Sequence, residues 1–282
     1  MRLILIGAKM INIVKEHPAF DDIISILSSS LIKLKIENKI TKNINNMNKN
    51  IIFGAHSRSL SEIERFPKNT IIFNLEKLFD RSQWLTDAYK TVLSKFIVFD
   101  YSISNVNYIK MKFNNPNVYH IRLGYDSILE NLKQDHSKED IDVYFYGSMI
   151  PRRVSLIDRL KKENINVVAT HDYDHDKKND LIQRSKIILN IHCYLTGDLE
   201  IVRILPLLSN SKCVVSELHT NCSIYPELKN SCIFCQYDDI VDKIKEYLND
   251  DNKRYKQEIL GYNIIKSFPM TKSLNTILSI LK

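Results

Sequence analysis

Two short stretches of this chain hold the residues best suited to chemistry. In YGSMIPRR, residues 146–153, an apolar strand runs out at Gly147 and Ser148, and Arg152 and Arg153 follow in the first turn of an expected helix. Two arginines at a helix start oppose the macrodipole, so something else must favour them there. A phosphate or diphosphate is one candidate, since helix N–H groups and guanidinium forks both match phosphate oxygens. A solvated basic turn is the plainer alternative. The second stretch is KIILNIHCYLTGDLEIVRILPLLSNSKCVVSE, residues 186–217. It reads as a strand ending at His192, a loop, a helix carrying Glu200 and Arg203, and a strand ending in Ser216 and Glu217. Glu200 and Arg203 are three apart and share a helix face, where a simple ion pair would contribute only roughly 0.3–0.5 kcal/mol. Beside a ligand, the carboxylate suits sugar hydroxyls and the arginine suits a diphosphate.

A histidine or carboxylate at a strand end could also serve as a general base. His56, just after the apolar run IIFGA, is the best placed, with Asp100 and Glu76 as weaker choices. Two clusters resemble metal sites. HDYDHD at 171–176 follows a strand and reads as a solvated loop, whereas His219, Cys222, Cys232 and Cys235 have zinc-like spacing. In CIFC, however, a strand would turn the two thiols to opposite faces. Neither cluster is expected to hold a metal.

These residues need elements to position them. Apolar strand-like runs fall at 2–7, 50–54, 70–75, 95–100 and 118–124, and a second series falls at 142–147, 165–170, 186–192, 212–216 and 231–235. Helical patterns alternate with them, at about 18–36, 59–66, 83–94 and 104–113, then 152–163, 178–185, 199–209, 238–249, 252–266 and 271–281. Such alternation implies parallel sheets with right-handed crossovers. Open sheets of this kind bind ligands at the carboxyl ends of their strands. The polar stretch 126–140 separates the two series and reads as a link between a first domain, 1–125, and a second domain, 141–262, with a last helical segment at 263–282. The expected class is α/β, two doubly wound parallel-sheet domains facing a cleft. Gly7, Gly54, Gly124 and Gly147 fall near strand ends, Pro206 should disturb its helix, and the Asn- and Lys-rich 38–50 run reads as a mobile loop. No GxGxxG or P-loop occurs.

Lys and Arg number 40 against 33 Asp and Glu, a formal charge of +7 with pI near 9.0. That balance suits anionic partners, including nucleotides, phosphates and an acidic membrane surface at the periphery. Neither a recognition helix nor an RNA-binding motif is present, so nucleic acid is not an expected partner. The opening run LILIG is too short for a signal core, and no stretch reaches membrane-spanning length. Five cysteines then read as free thiols in the cytoplasm.

NLEKL at 74–78, FDYS at 99–102, RLGYD at 122–126, DVYFYGSMIPRR at 142–153 and NIHCYLTGDLEIVRILPLLSNSKCVVSE at 190–217 together resemble GT-B-type glycosyltransferases, in particular the CgeB-like and group 1 proteins. The resemblance implies two Rossmann-like halves and a hexosyltransferase-like reaction. The second half would bind a nucleotide-diphosphate sugar, and a glycan, lipid or protein would accept the sugar. It assigns catalytic roles to His56, Arg152 and Arg203, and donor contacts to Gly147, Ser148, Arg153, His192, Glu200, Ser216 and Glu217. It implies no cofactor beyond the donor, and final helices that return to brace the first half. Group 1 enzymes carry Glu-x7-Glu ahead of the strand matching KCVVS; Asp198 and Pro206 occupy those positions here. A catalytically inactive protein of the same fold that only binds nucleotide or glycan is therefore the alternative.

Overall fold

The computed structural model describes residues 10–171, 174–194, 198–218, 222 and 224–281. The chain divides into two compact units, one running to Asp126 and resuming at Pro269, the other spanning Ser127–Phe268.

In the first unit, strands β1 (Ile11–Lys15), β2 (Asn38–Thr41), β3 (Lys49–Phe53), β4 (Ile71–Asn74), β5 (Ile97–Asp100) and β6 (Val118–His120) form one parallel sheet in the order β2-β1-β3-β4-β5-β6. Central strands such as Ile51-Ile52-Phe53 are buried on both faces, as continuous apolar runs in a parallel sheet should be. Helices α1 (Asp21–Lys33), α2 (Leu60–Ile63), α3 (Asp87–Lys95) and α4 (Ile103–Phe113) cover the sheet. Their starts are set by side chains: Thr86 and Ser102 cap α3 and α4, and Ser59 with Glu62 forms a capping box on α2.

The N-terminal half departs from the sequence reading in two places. The run at 2–7 lies outside the described residues, and the strand at Ile11–Lys15 was not anticipated because Asn12 interrupts its apolar pattern. Asn12 is fully buried and donates to Asn50 Oδ1 on β3 at 3.2 Å, so the two polar groups satisfy each other inside the sheet. The Asn-rich 38–50 run is not a loose loop. Its first residues form edge strand β2, and Asn50 then anchors the turn by accepting from Asn45 N at 3.0 Å and donating to Asn45 O and Asn48 O.

The second unit holds β7 (Ile141–Tyr146), β8 (Val167–Thr170), β9 (Ser185–Asn190), β10 (Cys213–Glu217) and β11 (Ile233–Cys235), all parallel, in the order β11-β10-β9-β7-β8. Helices α5 (Pro151–Lys162), α6 (His175–Gln183), α7 (Ile201–Ser209), α8 (Ile240–Leu248) and α9 (Asp251–Lys266) alternate with or follow these strands. Pro206 sits within α7 without ending it. Residues 127–140, expected as a link, pack into this unit: Asn210 accepts from Asn131 N and Leu132 N and donates to Leu129 O, and buried Lys212 pairs with Glu139 at 3.0 Å. Asp126 instead belongs to the first unit, where it accepts from Ser29, Ser30 and Lys33.

After α9 the chain rejoins the first unit. Met270 N donates to Tyr125 O at 2.8 Å, and α10 (Met270–Asn275) packs on α1, followed by α11 (Leu278–Leu281). Among the described residues no helix is long and apolar enough to cross a membrane.

Gly261 marks a close approach of α9 to its neighbours in the second unit. A Cβ built there would sit 2.6 Å from Ser231 O and 2.9 Å from Leu208 Cδ2, so α9 approaches its neighbours at a distance only glycine allows. Gly261→Ala should therefore destabilise the unit by about 1–3 kcal/mol, because a backbone carbonyl cannot swing aside. A lowered urea midpoint with normal far-UV circular dichroism checks this; an unchanged midpoint contradicts it.

Candidate functional site

The carboxyl ends of β7, β9 and β10 lie side by side along one edge of the second sheet, and the residues expected to act there fall at that edge or buried just behind it. β7 leads into Gly147, whose φ of 137° lies in a region that L side chains rarely adopt. A Cβ at Gly147 would lie 3.0 Å from Arg203 Nη2 and 3.4 Å from Arg153 Nη1. Two guanidinium groups thus converge on one glycine.

Each arginine is held differently. Arg153, only 2% exposed, donates through Nε and Nη2 to Ile191 O at 3.0 and 2.6 Å and through Nη1 to Ser148 O at 3.1 Å. Its fixed contacts are neutral carbonyls, and burial followed by the neighbouring Arg203 charge pulls its pKa below the ordinary guanidinium value. Arg203 donates through Nη1 to Asn190 Oδ1 at 3.2 Å, lies 3.9 Å from Glu200 Oε2, and faces the rings of Tyr146 and Phe145 at 5.2 and 5.9 Å. Arg152 makes a two-pronged pair with Glu217, donates to His192 O at 3.3 Å, and lies 4.0 Å over the ring of Tyr237.

Several residues expected to contact a ligand turn inward instead. Glu217 is 1% exposed; besides Arg152 it accepts from His192 N at 3.0 Å, so it fixes both the α5 start and the loop after β9. Ser216 is buried, accepting from Asn190 Nδ2 at 3.0 Å, and Asn190 in turn aims Arg203. His192 is fully buried, with Nδ1 3.7 Å from Glu200 Oε1. A charged or polar residue at a strand end reads as solvent-facing in sequence; here the packed helix starts close over that end. Gly147, exposed Ser148, Glu200 and Arg203 line the edge itself. Asn190, Tyr146 and Tyr237 were not singled out, although Asn190 closes the apolar run IILN and could have been flagged as a polar strand terminus.

The first unit presents its own polar edge. Gly54, with φ of 83°, ends β3 and puts His56 in a box of aromatic rings, 4.8 Å from Trp84, 5.9 Å from Tyr89 and 6.3 Å from Phe20. Burial, with a smaller push from His17, lowers the His56 pKa to about 4, while burial raises Glu76 to about 7. The two lie 4.0 Å apart, so at neutral pH His56 is uncharged and the contact is not an ion pair. Asp100, the other expected base candidate, is fully buried and accepts from Asn74, Ser102 N and Asn105, which makes it a structural cap.

His219 and parts of 171–176 lie outside the described residues, and among the described residues neither metal-like cluster brings three ligands together. Burial pushes the thiols of both Cys232 and Cys235 up to about 12. Among the described residues, His136, Glu139 and Glu258 do approach one another closely. Lys212 and Arg254 already sit 3.0 and 3.6 Å from Glu139 and supply its countercharge.

No family model matches the chain. Two uncharacterized proteins of Acanthamoeba polyphaga mimivirus are similar to it. One is 26% identical over 206 residues, covering 71% of this chain and 68% of its own length; the other is 28% identical over 197 residues, covering 65% and 60%. Among solved structures, Staphylococcus aureus TarM superposes with a TM-score of 0.60 at 17% identity, covering 83% of this chain and 54% of TarM. This chain therefore spans about half of TarM's length. HepE of Anabaena, solved with UDP and glucose, gives 0.62 at 12% identity, and WaaG, a glycosyltransferase involved in lipopolysaccharide biosynthesis, gives 0.61 at 7%, each covering 97% of this chain and 99% of its own. The likeness is one of fold: the two parallel sheets are those of the GT-B glycosyltransferases.

The two buried groups of the first unit make opposite contributions to stability. Raising Glu76 to about 7 favours its protonated form on folding, a contribution present below its ordinary value of 4.5 and lost as pH rises through 7. Lowering His56 to about 4 gives a contribution present above its ordinary 6.5 and lost as pH falls through 4. Glu76→Gln should therefore raise stability by less than about 1 kcal/mol at pH 5 and by up to roughly 3 kcal/mol at pH 8. Urea midpoints for both proteins across pH 5–8 check this; a pH-independent difference contradicts it.

Proposed function

We propose that this chain is a glycosyltransferase that binds a nucleotide-diphosphate sugar at the carboxyl edge of the second sheet and passes the sugar to a hydroxyl of a glycan, lipid or protein, with no essential metal. The observation that carries the reading is the convergence of Arg153 and Arg203 on Gly147. Two like charges this close are unfavourable alone, and a diphosphate between them and the glycine backbone relieves their repulsion. The missing Cβ leaves room for that approach.

In the proposed reaction the bond between the anomeric carbon and the diphosphate oxygen breaks, and its electron pair stays on the oxygen. Arg203 meets the developing negative charge with a side chain already aimed by Asn190, and Arg153 adds a fixed positive field from behind. Arg152 acts through Glu217 to hold the α5 start rather than by touching the donor. Glu200, near Arg203, suits hydrogen bonds to donor hydroxyls. The acceptor hydroxyl loses its proton as its oxygen bonds the anomeric carbon; His56, kept neutral by burial, has the protonation state of a base. HepE has been solved with UDP-glucose, which makes UDP-hexoses the first donors to test, and the quoted segments resemble those of CgeB-like and group 1 proteins.

A second reading keeps donor binding without turnover. It rests on Asp198 and Pro206, which stand where group 1 enzymes carry two glutamates.

A panel of UDP-, GDP- and ADP-hexoses should contain one that raises the melting temperature, since a ligand of the native state stabilises by mass action. Donor hydrolysis or transfer with that sugar should fall by roughly 100- to 1,000-fold in Arg203→Ala with the fold intact. Binding without turnover would establish the second reading, and no binding across the panel would overturn both.

A further inference from the structure

The Asn-rich 38–50 run has a consequence in the first unit that the donor site does not use. Four of its residues between 42 and 46 form one wall of a cavity of about 350 Å³, and residues of the segment 58–66, which contains α2, form the other. Lys42, Asn43, Ile44 and Asn46 line the first wall, and Arg58, Glu62, Arg65 and Phe66 line the second. Both walls are pre-set. The first is pinned through Asn45 and Asn50, and Asn48 also donates to the buried Asn12 on β1 at 3.2 Å. On the second, Arg58 is clamped between Glu16 at 2.5 Å and Glu62 at 2.7 Å, and Glu62 is itself locked into the capping box with Ser59.

The charges do not cancel. Lys42, Arg58 and Arg65 face Glu16 and Glu62, which leaves one net positive charge, and both carboxylates are committed to Arg58. Lys42 and Arg65 enter no ion pair among the described residues, and both line the cavity, one from each of the two chain segments that form it. Exposed lysines and arginines are ordinary, but two that line one cavity, together with the side chains of Asn43 and Asn46 and the apolar Ile44 and Phe66, make a selective lining. A carboxylate would engage one cation and leave the other unmatched. A phosphate monoester, nearly dianionic at neutral pH, matches both.

We infer that this cavity is a binding site for a small phosphorylated molecule, held by Lys42 and Arg65 and shaped by the pinned asparagine turn. The inference goes beyond the donor reading and stands independently of it, because every residue involved belongs to the first unit.

Isothermal titration of the full chain at low ionic strength, with glucose 6-phosphate, glucuronate and glucose as probes, tests it. Glucose 6-phosphate should bind, more weakly as salt is added, and glucose should not. Lys42→Ala and Arg65→Ala, both at exposed positions, should each weaken binding roughly tenfold. Arg203→Ala in the second unit should leave it unchanged. Glucuronate binding as tightly as glucose 6-phosphate would overturn the phosphate assignment. Affinity that survives both first-unit substitutions, that is lost in Arg203→Ala, or that is never detected would overturn the site.

Discussion

The clamping of guanidinium groups by the backbone and by Glu217 is the constraint on which the rest of the second unit's edge depends. Arg153 spends its hydrogen bonds on Ile191 O and Ser148 O, and Arg152 spends its charge on Glu217. These contacts weld the β7–α5 turn to the loop after β9 and to the end of β10. The carbonyls bonded to Arg153 cannot neutralise it, and a buried, incompletely compensated cation is costly. An anion bound at this edge, as proposed, would lower that cost. Here the arrangement that holds the edge together also leaves it electrostatically unsatisfied.

The division of labour among the arginines follows from geometry. All three looked equivalent as charges near an expected phosphate. In the fold, Arg152 is a brace, Arg153 a buried source of positive field, and Arg203 a side chain whose Nη2 faces the glycine. Glu217, Ser216 and Asn190 then explain themselves as the layer beneath, each bonded to something that reaches the edge. Their burial makes the edge rigid, and rigidity is what lets fixed charge act without first reorganising.

Much of this was legible in the sequence because parallel strands announce themselves. Runs such as IILN and CVVS, separated by helical periods, identify the order of sheet and helix and hence which loops share an edge. Gly147, Arg152, Arg153, Glu200 and Arg203 could be placed together on that basis alone. The failures have a common cause, which is that polar residues were read as solvent-facing. Asn12 hid a central strand because its partner, Asn50, lies 38 residues away, and the Asn-rich run looked mobile because its hydrogen bonds close on themselves. Likewise Glu217 and Ser216 looked like ligands because nothing local says that a helix start will cover them. Long-range pairing of polar groups has no periodic signature, so composition and spacing could not reveal it.

The most direct test is a crystal structure of the chain with UDP, or with the UDP-hexose that stabilises it most. The account predicts diphosphate oxygens within hydrogen-bonding distance, about 3 Å, of Arg203 Nη2 and against the backbone of Gly147 and Ser148, with Arg152 still paired to Glu217. A diphosphate bound elsewhere, or one that reaches this edge without engaging Arg203, would contradict it.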